Sequence, residues 1–214
     1  MIKKIFTEKI YFSFALILIF HLVGLIGFTN EPLAPLFKKL VPYHLLLMLG
    51  ILLWNNSVWN KYFIGYSLFL FSCSFIVEML GTNTGLIFGK YIYGDTLGLK
   101  IFNTPLLIGV NWFLLVIGVS ALLSYLKIHN IIYNSILGAS ILTLLDALIE
   151  PIAIKFDYWQ WSSYNVPTQN YIAWWLLSFV FILIINKLHF NKQNIVAAFL
   201  LMTQFLFFIL LNLL

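Results

Sequence analysis

Residues 62–98 read YFIGYSLFLFSCSFIVEMLGTNTGLIFGKYIYGDTLG. Positions 62–80 form a mainly apolar run that is long enough to cross a bilayer as one helix, since a span needs about 20 residues. Glu78 stands near the end of that run, and glycine, threonine, asparagine, tyrosine and aspartate follow it. A plain connecting loop does not need this mixture. The stretch therefore indicates a transmembrane helix that ends in a binding site.

The composition places the whole chain in the same class. Of its 214 residues, 62% are hydrophobic and only 9% are charged, whereas soluble domains are near half apolar and a quarter charged. No alternating ten-residue pattern suggests a β-barrel, and helices satisfy their own backbone hydrogen bonds in lipid. We predict an all-α, polytopic transmembrane helix bundle that forms a single domain over residues 1–214.

The apolar runs predict about seven helices, with six to eight as the range. The predicted spans are 10–28, 43–54, 62–80, 105–125, 131–154, 172–185 and 195–214. The second and the sixth are short for a membrane span. Pro32, Pro35, Lys38 and Lys39 predict a loop before the second span, because prolines and charges interrupt an apolar helical pattern.

The basic residues indicate membrane topology. All 12 of them are lysines, and the formal net charge is +5. No basic cluster with interleaved aromatic residues occurs, so a nucleic-acid site is not predicted. The distribution of lysines favours a cytoplasmic N-terminus and an outside C-terminus. No small-residue cleavage site follows the first apolar run, which we interpret as a retained anchor.

The parity of seven helices puts two long polar loops at the same membrane face. They follow the third and fifth spans and read GTNTGLIFGKYIYGDTLGLKIFN (81–103) and KFDYWQWSSYNVPTQNY (155–171). Most of the acidic residues belong to this face. Of the seven aspartates and glutamates in the chain, five are found there, namely Glu78, Asp95, Asp146, Glu150 and Asp157.

Asp146 and Glu150 are spaced i and i+4, which puts both carboxyls on one face of a helix. A carboxylate at membrane depth costs about 2.5 to 3.5 kcal/mol, so it persists where it is paired or functional. Two acids this close resist losing both protons, and a buried neutral carboxyl can act as a general acid. Pro151, if helical, would leave the Ala147 carbonyl free for a water or a hydroxyl. The alternative for this pair, and for Glu78, is a helix end with its acids in solvent.

Aromatic residues fill the two loops and the helix ends beside them. They form either an interfacial belt or the lining of a site that faces a cation, since ring faces attract positive charge. The residues concerned are Phe88, Tyr91, Tyr93, Trp112, Tyr158, Trp159, Trp161, Tyr164, Trp174 and Trp175. Gly81, Gly85 and Gly89 recur every four residues and are either a helix-packing groove or turn residues beside a ligand.

No metal site, disulfide framework or dinucleotide fingerprint is predicted. Cys73 lies in an apolar run and is interpreted as a small hydrophobic residue. His21 and His44 are interpreted as isolated, because neither has a second His or Cys at ligand spacing. His129 and His189 lie in short lysine-bearing turns. The GLIFGKY stretch lacks the spacing of a phosphate-binding loop.

Three stretches, EMLGTNTGLIFGKYIYGDTLG, TPLLIGVNWFLLV and DALIEPIAIKFDYWQW, resemble a known family. They are similar to the carotenoid biosynthesis membrane-protein family that includes the CruF-type carotenoid 1,2-hydratases and bisanhydrobacterioruberin hydratase. The resemblance covers residues 75–161. Its pattern is a glutamate, a Thr-Gly before Phe-Gly-x-Tyr-x-Tyr, a proline ahead of a Trp-bearing helix, and an aspartate with Glu-Pro ahead of a Trp-rich segment. The matching positions are Glu78, Thr84, Gly85, Phe88, Gly89, Tyr91, Tyr93, Pro105, Trp112, Asp146, Glu150, Pro151, Trp159 and Trp161.

The resemblance implies a multi-pass protein of a bacterial or archaeal cytoplasmic membrane. Its implied reaction adds water across the terminal C1–C2 double bond of an acyclic carotenoid, with no cofactor. The substrate would arrive from the membrane lipids and the water from the aqueous face. The expected catalytic acids are Asp146, Glu150 and Glu78, one of which would protonate the alkene to a tertiary carbocation. The expected substrate-binding residues are Thr84, Phe88, Tyr91, Tyr93, Asp95, Trp112, Trp159 and Trp161.

Three other functions stay open at this point. A carotenoid cyclase would begin with the same protonation and end in loss of a proton, giving an isomer of the substrate. A proton-coupled transporter would use intramembrane carboxylates as a relay and predicts inverted repeats and broken helices. A structural polyene-binding subunit predicts that the three acids can be neutralised without loss of function.

Overall fold

The chain folds into a bundle of long helices, described by a computed structural model over residues 2–163 and 165–214. The helices are α1 (Ile2–Thr29), α2 (Ala34–Trp54), α3 (Lys61–Thr84), α4 (Leu107–Tyr125), α5 (Ile131–Lys155), α6 (Thr168–Lys187) and α7 (Ile195–Leu213). The strands are β1 (Tyr91–Tyr93), β2 (Lys100–Ile101), β3 (Thr104–Pro105) and β4 (Trp159–Trp161). All seven helices are long and apolar enough to cross a membrane, which confirms the predicted polytopic bundle. Tyr164 lies outside the described residues.

The second helix is longer than predicted. α2 begins at Ala34, and Pro35 lies in its first turn, where a proline loses no intrahelical hydrogen bond. The prediction of a loop through Lys38 and Lys39 is therefore wrong, since both lysines belong to α2. α6 likewise begins at Thr168, ahead of its apolar run. Hydropathy detects the apolar part of a helix and misses N-terminal turns that contain prolines, lysines or other polar residues.

Polar and glycine caps set the ends of the helices. Asn60, Asn130 and Asn194 precede α3, α5 and α7, and each side chain accepts a hydrogen bond from a backbone N–H of the first turn. At the other end of α3, Gly85 adopts a φ of 68°, a left-handed conformation that favours glycine. α3 therefore ends at Thr84, and the chain turns at Gly85 into the first polar loop.

α4 is the central helix of the bundle. It carries no charged residue and is buried along most of its length, as expected for a helix that is apolar on all sides. The helices α2, α3, α5, α6 and α7 pack around it. Gly109 allows a close approach to α3, because a side chain at this position would overlap the Phe71 ring. α4 thus lies between the two helices, α3 and α5, that carry the buried acids.

A short two-stranded sheet joins the two polar loops. β1 and β4 are antiparallel, in the register Tyr91↔Trp161, Ile92↔Gln160 and Tyr93↔Trp159. Side chains alternate between the faces of a strand, so two tyrosines and two tryptophans share one face of this sheet. Both loops lie at the same end of the bundle, which confirms the prediction from helix parity.

Candidate active site

Three carboxyl groups are buried at the end of the bundle that carries β1 and β4. Glu78 lies near the end of α3, and Asp146 and Glu150 lie on α5. Their exposed fractions are 3%, 0% and 2%. The alternative in which these acids sit in solvent is therefore wrong. The salt bridge that the structure holds among the described residues joins Lys100 to Asp95 and involves none of the three.

Glu78 accepts three hydrogen bonds from neutral aromatic side chains. The hydroxyls of Tyr91 and Tyr93 each donate to Oε2 at 2.8 Å, and Nε1 of Trp112 donates to Oε1 at 2.8 Å. Thr82 donates in turn to the Tyr91 hydroxyl at 3.1 Å. Burial, followed by the nearby Glu78 carboxylate, holds the pKa of Tyr91 and of Tyr93 well above the usual value for tyrosine. Both hydroxyls therefore stay protonated and keep donating.

Glu150 is surrounded in the same way from β4. Nε1 of Trp159 and Nε1 of Trp161 donate to its Oε2 at 3.0 and 2.8 Å. Nδ2 of Asn170 donates to its Oε1 at 3.0 Å and also to Oδ2 of Asp146 at 2.9 Å. Oδ1 of Asp146 is buried and has no partner among the described residues. Asn170 therefore ties the two acids of α5 together, and Asp146 is the less satisfied of the two.

A small cavity lies between Glu78 and Glu150. Its volume is about 20 Å³, which is enough for one water molecule. The residues that line it are Glu78, Phe88, Tyr91, Tyr93, Ile108, Glu150, Trp159, Trp161, Asn170 and Trp174. Asp146 does not line the cavity, but it accepts a hydrogen bond from Asn170, which does. Two carboxyl groups thus face one water-sized space from different helices.

Aromatic side chains line this cavity and pack against one another. Trp112 stacks on Trp174 with ring centres 4.1 Å apart and planes 19° from parallel. Tyr91 contacts Trp161 with ring centres 5.0 Å apart. Phe88 packs edge-on against Tyr91. The negative faces of such rings favour a positive charge placed among them.

Most of the predicted binding residues meet at this site, and two do not. Phe88, Tyr91, Tyr93, Trp159 and Trp161 line the cavity, and Trp112 contacts Glu78 directly. Thr84 is exposed at the end of α3, where its hydroxyl donates to the Leu80 carbonyl. Asp95 is exposed and forms an ion pair with Lys100 at 2.8 Å. Asp95 follows the end of β1, so the alternation that turns positions 91 and 93 inward does not extend to it.

Asn170 and Ile108 line the cavity but were not predicted as site residues, whereas Trp174, which also lines it, was one of the aromatic residues considered for a site lining. Asn170 lies in the first turn of α6, in a segment that the sequence assigned to the loop. The sequence did contain one signal that Asn170 belongs to the site. An asparagine four residues before a tryptophan shares a helix face with it, so Asn170 and Trp174 would point the same way if the helix began early enough.

The structure decides between the two interpretations of the glycines. Gly85 and Gly89 have positive φ values of 68° and 104° and are turn residues. Gly81 is helical, and a side chain there would overlap the ring of Phe88, which lines the cavity. Pro151 lies inside α5, so position 151 has no backbone N–H to donate to the Ala147 carbonyl.

The prediction that His21 and His44 are isolated is wrong. Their rings lie 4.8 Å apart in an edge-to-face arrangement between α1 and α2. Nδ1 of His21 is 2.8 Å from the Ile17 carbonyl. The two positions are far apart in sequence and meet because α1 and α2 are antiparallel neighbours.

Comparison with known proteins gives one family and one curated relative. Residues 40–214 match the family described as "Carotenoid biosynthesis protein". Over 120 residues the chain is 28% identical to the bisanhydrobacterioruberin hydratase of Haloarcula japonica. The aligned part is 53% of this chain, and it covers 41% of the length of that relative. No solved structure matches the chain.

Proposed function

The chain belongs to the carotenoid biosynthesis protein family, and from that premise we propose that it is a carotenoid hydratase. The proposed reaction adds water across the terminal C1–C2 double bond of an acyclic carotenoid end group. The product is a tertiary alcohol. The observation that carries the proposal is the water-sized, aromatic-lined cavity that Glu78 and Glu150 share.

In the first step Glu150 is the general acid. Its carboxyl proton moves to C2 of the double bond, the C1–C2 π bond breaks, and C1 becomes a tertiary carbocation. The carboxylate left behind already faces three donors, from Trp159, Trp161 and Asn170. Donors that are in place before the charge develops stabilise it without reorganisation, so they make Glu150 a stronger acid at the moment of transfer.

The carbocation is stabilised by its surroundings. Ring faces of the cavity residues attract positive charge, and the Glu78 carboxylate lies on the same cavity. Glu78 has three donors of its own, which hold its negative charge in a buried place. Hydrogen bonds to the ionised form of a carboxyl favour that form. The cavity therefore offers an acid on one side and an anion on the other.

In the second step a water molecule adds to the cation. The water oxygen forms a bond to C1, and Glu78 takes the proton that the water loses. Glu78 then holds one proton more and Glu150 one fewer than before the reaction. Transfer of that proton through a water in the shared cavity restores the starting state. The net change is one alkene and one water converted to one alcohol.

Asp146 acts through Asn170 and does not touch the substrate. It stands one helical turn before Glu150 and is linked to it by the Asn170 amide. Two neighbouring carboxyls resist losing both protons. Asp146 therefore favours retention of a proton by the pair, and Glu150 is the member that delivers it to the cavity.

The substrate reaches this site from the bilayer. A cavity of about 20 Å³ holds a water molecule but has no room for a polyene end group. The aromatic side chains on β1 and β4 must therefore move apart when the substrate enters. Their closure afterwards would exclude all but the reacting water, which is one way an active site suppresses side reactions of an intermediate.

The water-sized cavity favours hydration over cyclisation, although both begin with the same protonation. Product analysis separates them when the chain is expressed in a bacterium that makes an acyclic carotenoid. A hydratase gives a product heavier by one water for each end group that reacts, whereas a cyclase gives an isomer. Unchanged pigment in cells whose membranes contain the folded chain would contradict both. Retention of full turnover by the Glu150→Gln, Glu78→Gln double variant would contradict the roles given to both acids. Unchanged pigment together with carotenoid binding by this variant would favour a polyene-binding subunit.

A further inference from the structure

A second and larger cavity lies at the opposite end of the bundle. It is formed between the α4–α5 turn and the α6–α7 turn and has a volume of about 270 Å³. Its lining residues are Ser120, Leu123, Ser124, Lys127, Ile128, His129, Asn134, Asn186 and Lys192. None of these described residues is acidic. The proposed reaction uses no part of this cavity.

Basic side chains converge on the cavity from both turns without a carboxylate partner. Lys127 and His129 come from the α4–α5 turn and Lys192 from the α6–α7 turn. In the part of the chain that the structure describes, none of them forms an ion pair. Nζ of Lys192 donates to the Leu188 carbonyl at 3.3 Å. It also lies 5.4 Å from the centre of the Phe190 ring, and burial lowers the pKa of Lys192, a sign that its charge is partly desolvated.

A buried hydroxyl also lacks a partner here. Ser120 is 3% exposed, and its Oγ makes no hydrogen bond to any described residue. An unsatisfied buried donor costs about 1 to 3 kcal/mol unless a ligand or water pairs with it. Asn134, which is 7% exposed, accepts a hydrogen bond from Asn186 at 2.8 Å and lines the same cavity. Charged and neutral donors therefore surround a common space.

The backbone at Lys127 adds an independent observation. Lys127 follows the C-cap of α4 and has a φ of 52°. Glycine is the residue usually found at this left-handed position, because it has no side chain to strain the backbone. The chain instead has a lysine at this position, and this lysine lines the cavity.

We propose that this cavity binds a phosphate group, carried by an anionic phospholipid or present as free phosphate. Cationic and hydroxyl donors together match the several oxygens of a phosphate, and hydrogen bonds between charged partners are the strong ones. Basic pockets between transmembrane helices are typical sites for anionic headgroups. The bound anion links the α4–α5 turn to the α6–α7 turn.

The test uses the purified full chain in a neutral detergent, with the thermal unfolding midpoint as the readout. Dihexanoyl phosphatidylglycerol, inorganic phosphate and dihexanoyl phosphatidylcholine are titrated separately. We expect a saturable rise in the midpoint with phosphatidylglycerol and a weaker response to phosphatidylcholine, whose choline cation cancels the charge. Saturation by inorganic phosphate at the same level would identify free phosphate as the source, and a response to phosphatidylglycerol alone would identify the lipid.

Two variants and one control make the result specific to the cavity. Lys192→Gln should weaken the apparent affinity about tenfold, the effect of losing one hydrogen bond between charged groups. Lys127→Gly should weaken it to a similar extent without lowering the midpoint of the ligand-free protein, because glycine relieves the left-handed strain. Lys39→Gln removes the same charge at the other end of the bundle and should bind like the wild type. The proposal is overturned if neither anion raises the midpoint, if phosphatidylcholine acts as strongly, or if both cavity variants match the control.

Discussion

The two ends of the bundle supply partners for their charged groups in opposite ways. At the end that carries β1 and β4, the acids have neutral partners from the chain itself, and the space between Glu78 and Glu150 is about 20 Å³. At the other end, Lys127 and Lys192 border a space of about 270 Å³ and have no carboxylate partner among the described residues. Neutral donors stabilise a carboxylate without cancelling its charge. The first end is therefore organised before any ligand arrives, and the second is completed by one.

This contrast has a physical consequence for the three acids. A cation beside Glu78 or Glu150 would fix the carboxylate as an ion pair and remove it from proton transfer. Indole and phenol donors leave the carboxyl able to exchange a proton, since each hydrogen bond of this kind is worth only about 1.5 to 3 kcal/mol when the acceptor is charged. Five of the aromatic residues that the sequence suggested as a cation lining donate hydrogen bonds to Glu78 or Glu150, namely Tyr91, Tyr93, Trp112, Trp159 and Trp161.

Neutralising an acid at the end of the bundle that carries β1 and β4 should have the largest effect on activity. Glu150→Gln removes the proposed proton donor and should lower carotenoid hydration about 100- to 10,000-fold, the usual contribution of a general acid. The measurement is the initial rate of product formation in membranes with equal amounts of folded protein. Asp95→Asn is the matched control, because Asp95 is an exposed acid at the same end, and its rate should change by no more than about twofold. Equal rates for the two variants would contradict the assignment.

Asn170→Ala tests whether the two acids of α5 work as a linked pair. The substitution removes the donor to Asp146 and the donor to Glu150 at once, so we expect a fall in kcat of about 100-fold. KM should change little, because Asn170 positions the acids and does not hold the polyene. Asn165→Ala, in the exposed loop that precedes α6, provides the comparison. A rise in KM at constant kcat would instead assign Asn170 to substrate binding.

Tyr93→Phe tests the contribution of a single hydrogen-bond donor to Glu78. It removes one of three hydrogen bonds to Glu78 and should lower turnover about tenfold, since Tyr91 and Trp112 remain. Burial holds the pKa of Tyr93 well above its usual value. The ratio of the wild-type rate to the Tyr93→Phe rate should therefore be constant from about pH 6 to about pH 9. Tyr158→Phe makes the same chemical change nearby, at a hydroxyl with no hydrogen bond to a described residue. A larger loss from Tyr158→Phe would contradict this account.

The smallest effect is expected on the outer face of the sheet. Ile92 lies between Tyr91 and Tyr93 but is 67% exposed and points away from the carboxyls. Ile92→Thr keeps a β-branched residue in the strand, and its effect on turnover should stay within about twofold. A loss as large as that of Tyr93→Phe would mean that the strand itself, and not its inward side chains, determines the activity.

The sequence predicted the architecture well because that architecture depends on local properties. Runs of apolar residues identified all seven helices, and parity placed the two polar loops at one end. The start of α2 was missed because Pro35 and the lysines at 38 and 39 resemble a loop, although the proline fits the first turn of α2 and both lysines fit its second turn. Asn170 was missed for the same reason, since polar residues in a first turn carry no hydropathy signal.

The residues alone predict a membrane bundle of about seven helices and a face where Glu78, Asp146 and Glu150 gather, because burial in lipid and helical periodicity act along the chain. Which oxygen of each acid receives which donor depends on the tertiary fold. The pairing of β1 with β4, and the approach of Asn170 to both acids of α5, join positions from separate loops and helices. Such contacts depend on which faces meet in space, and no pattern within one segment specifies that.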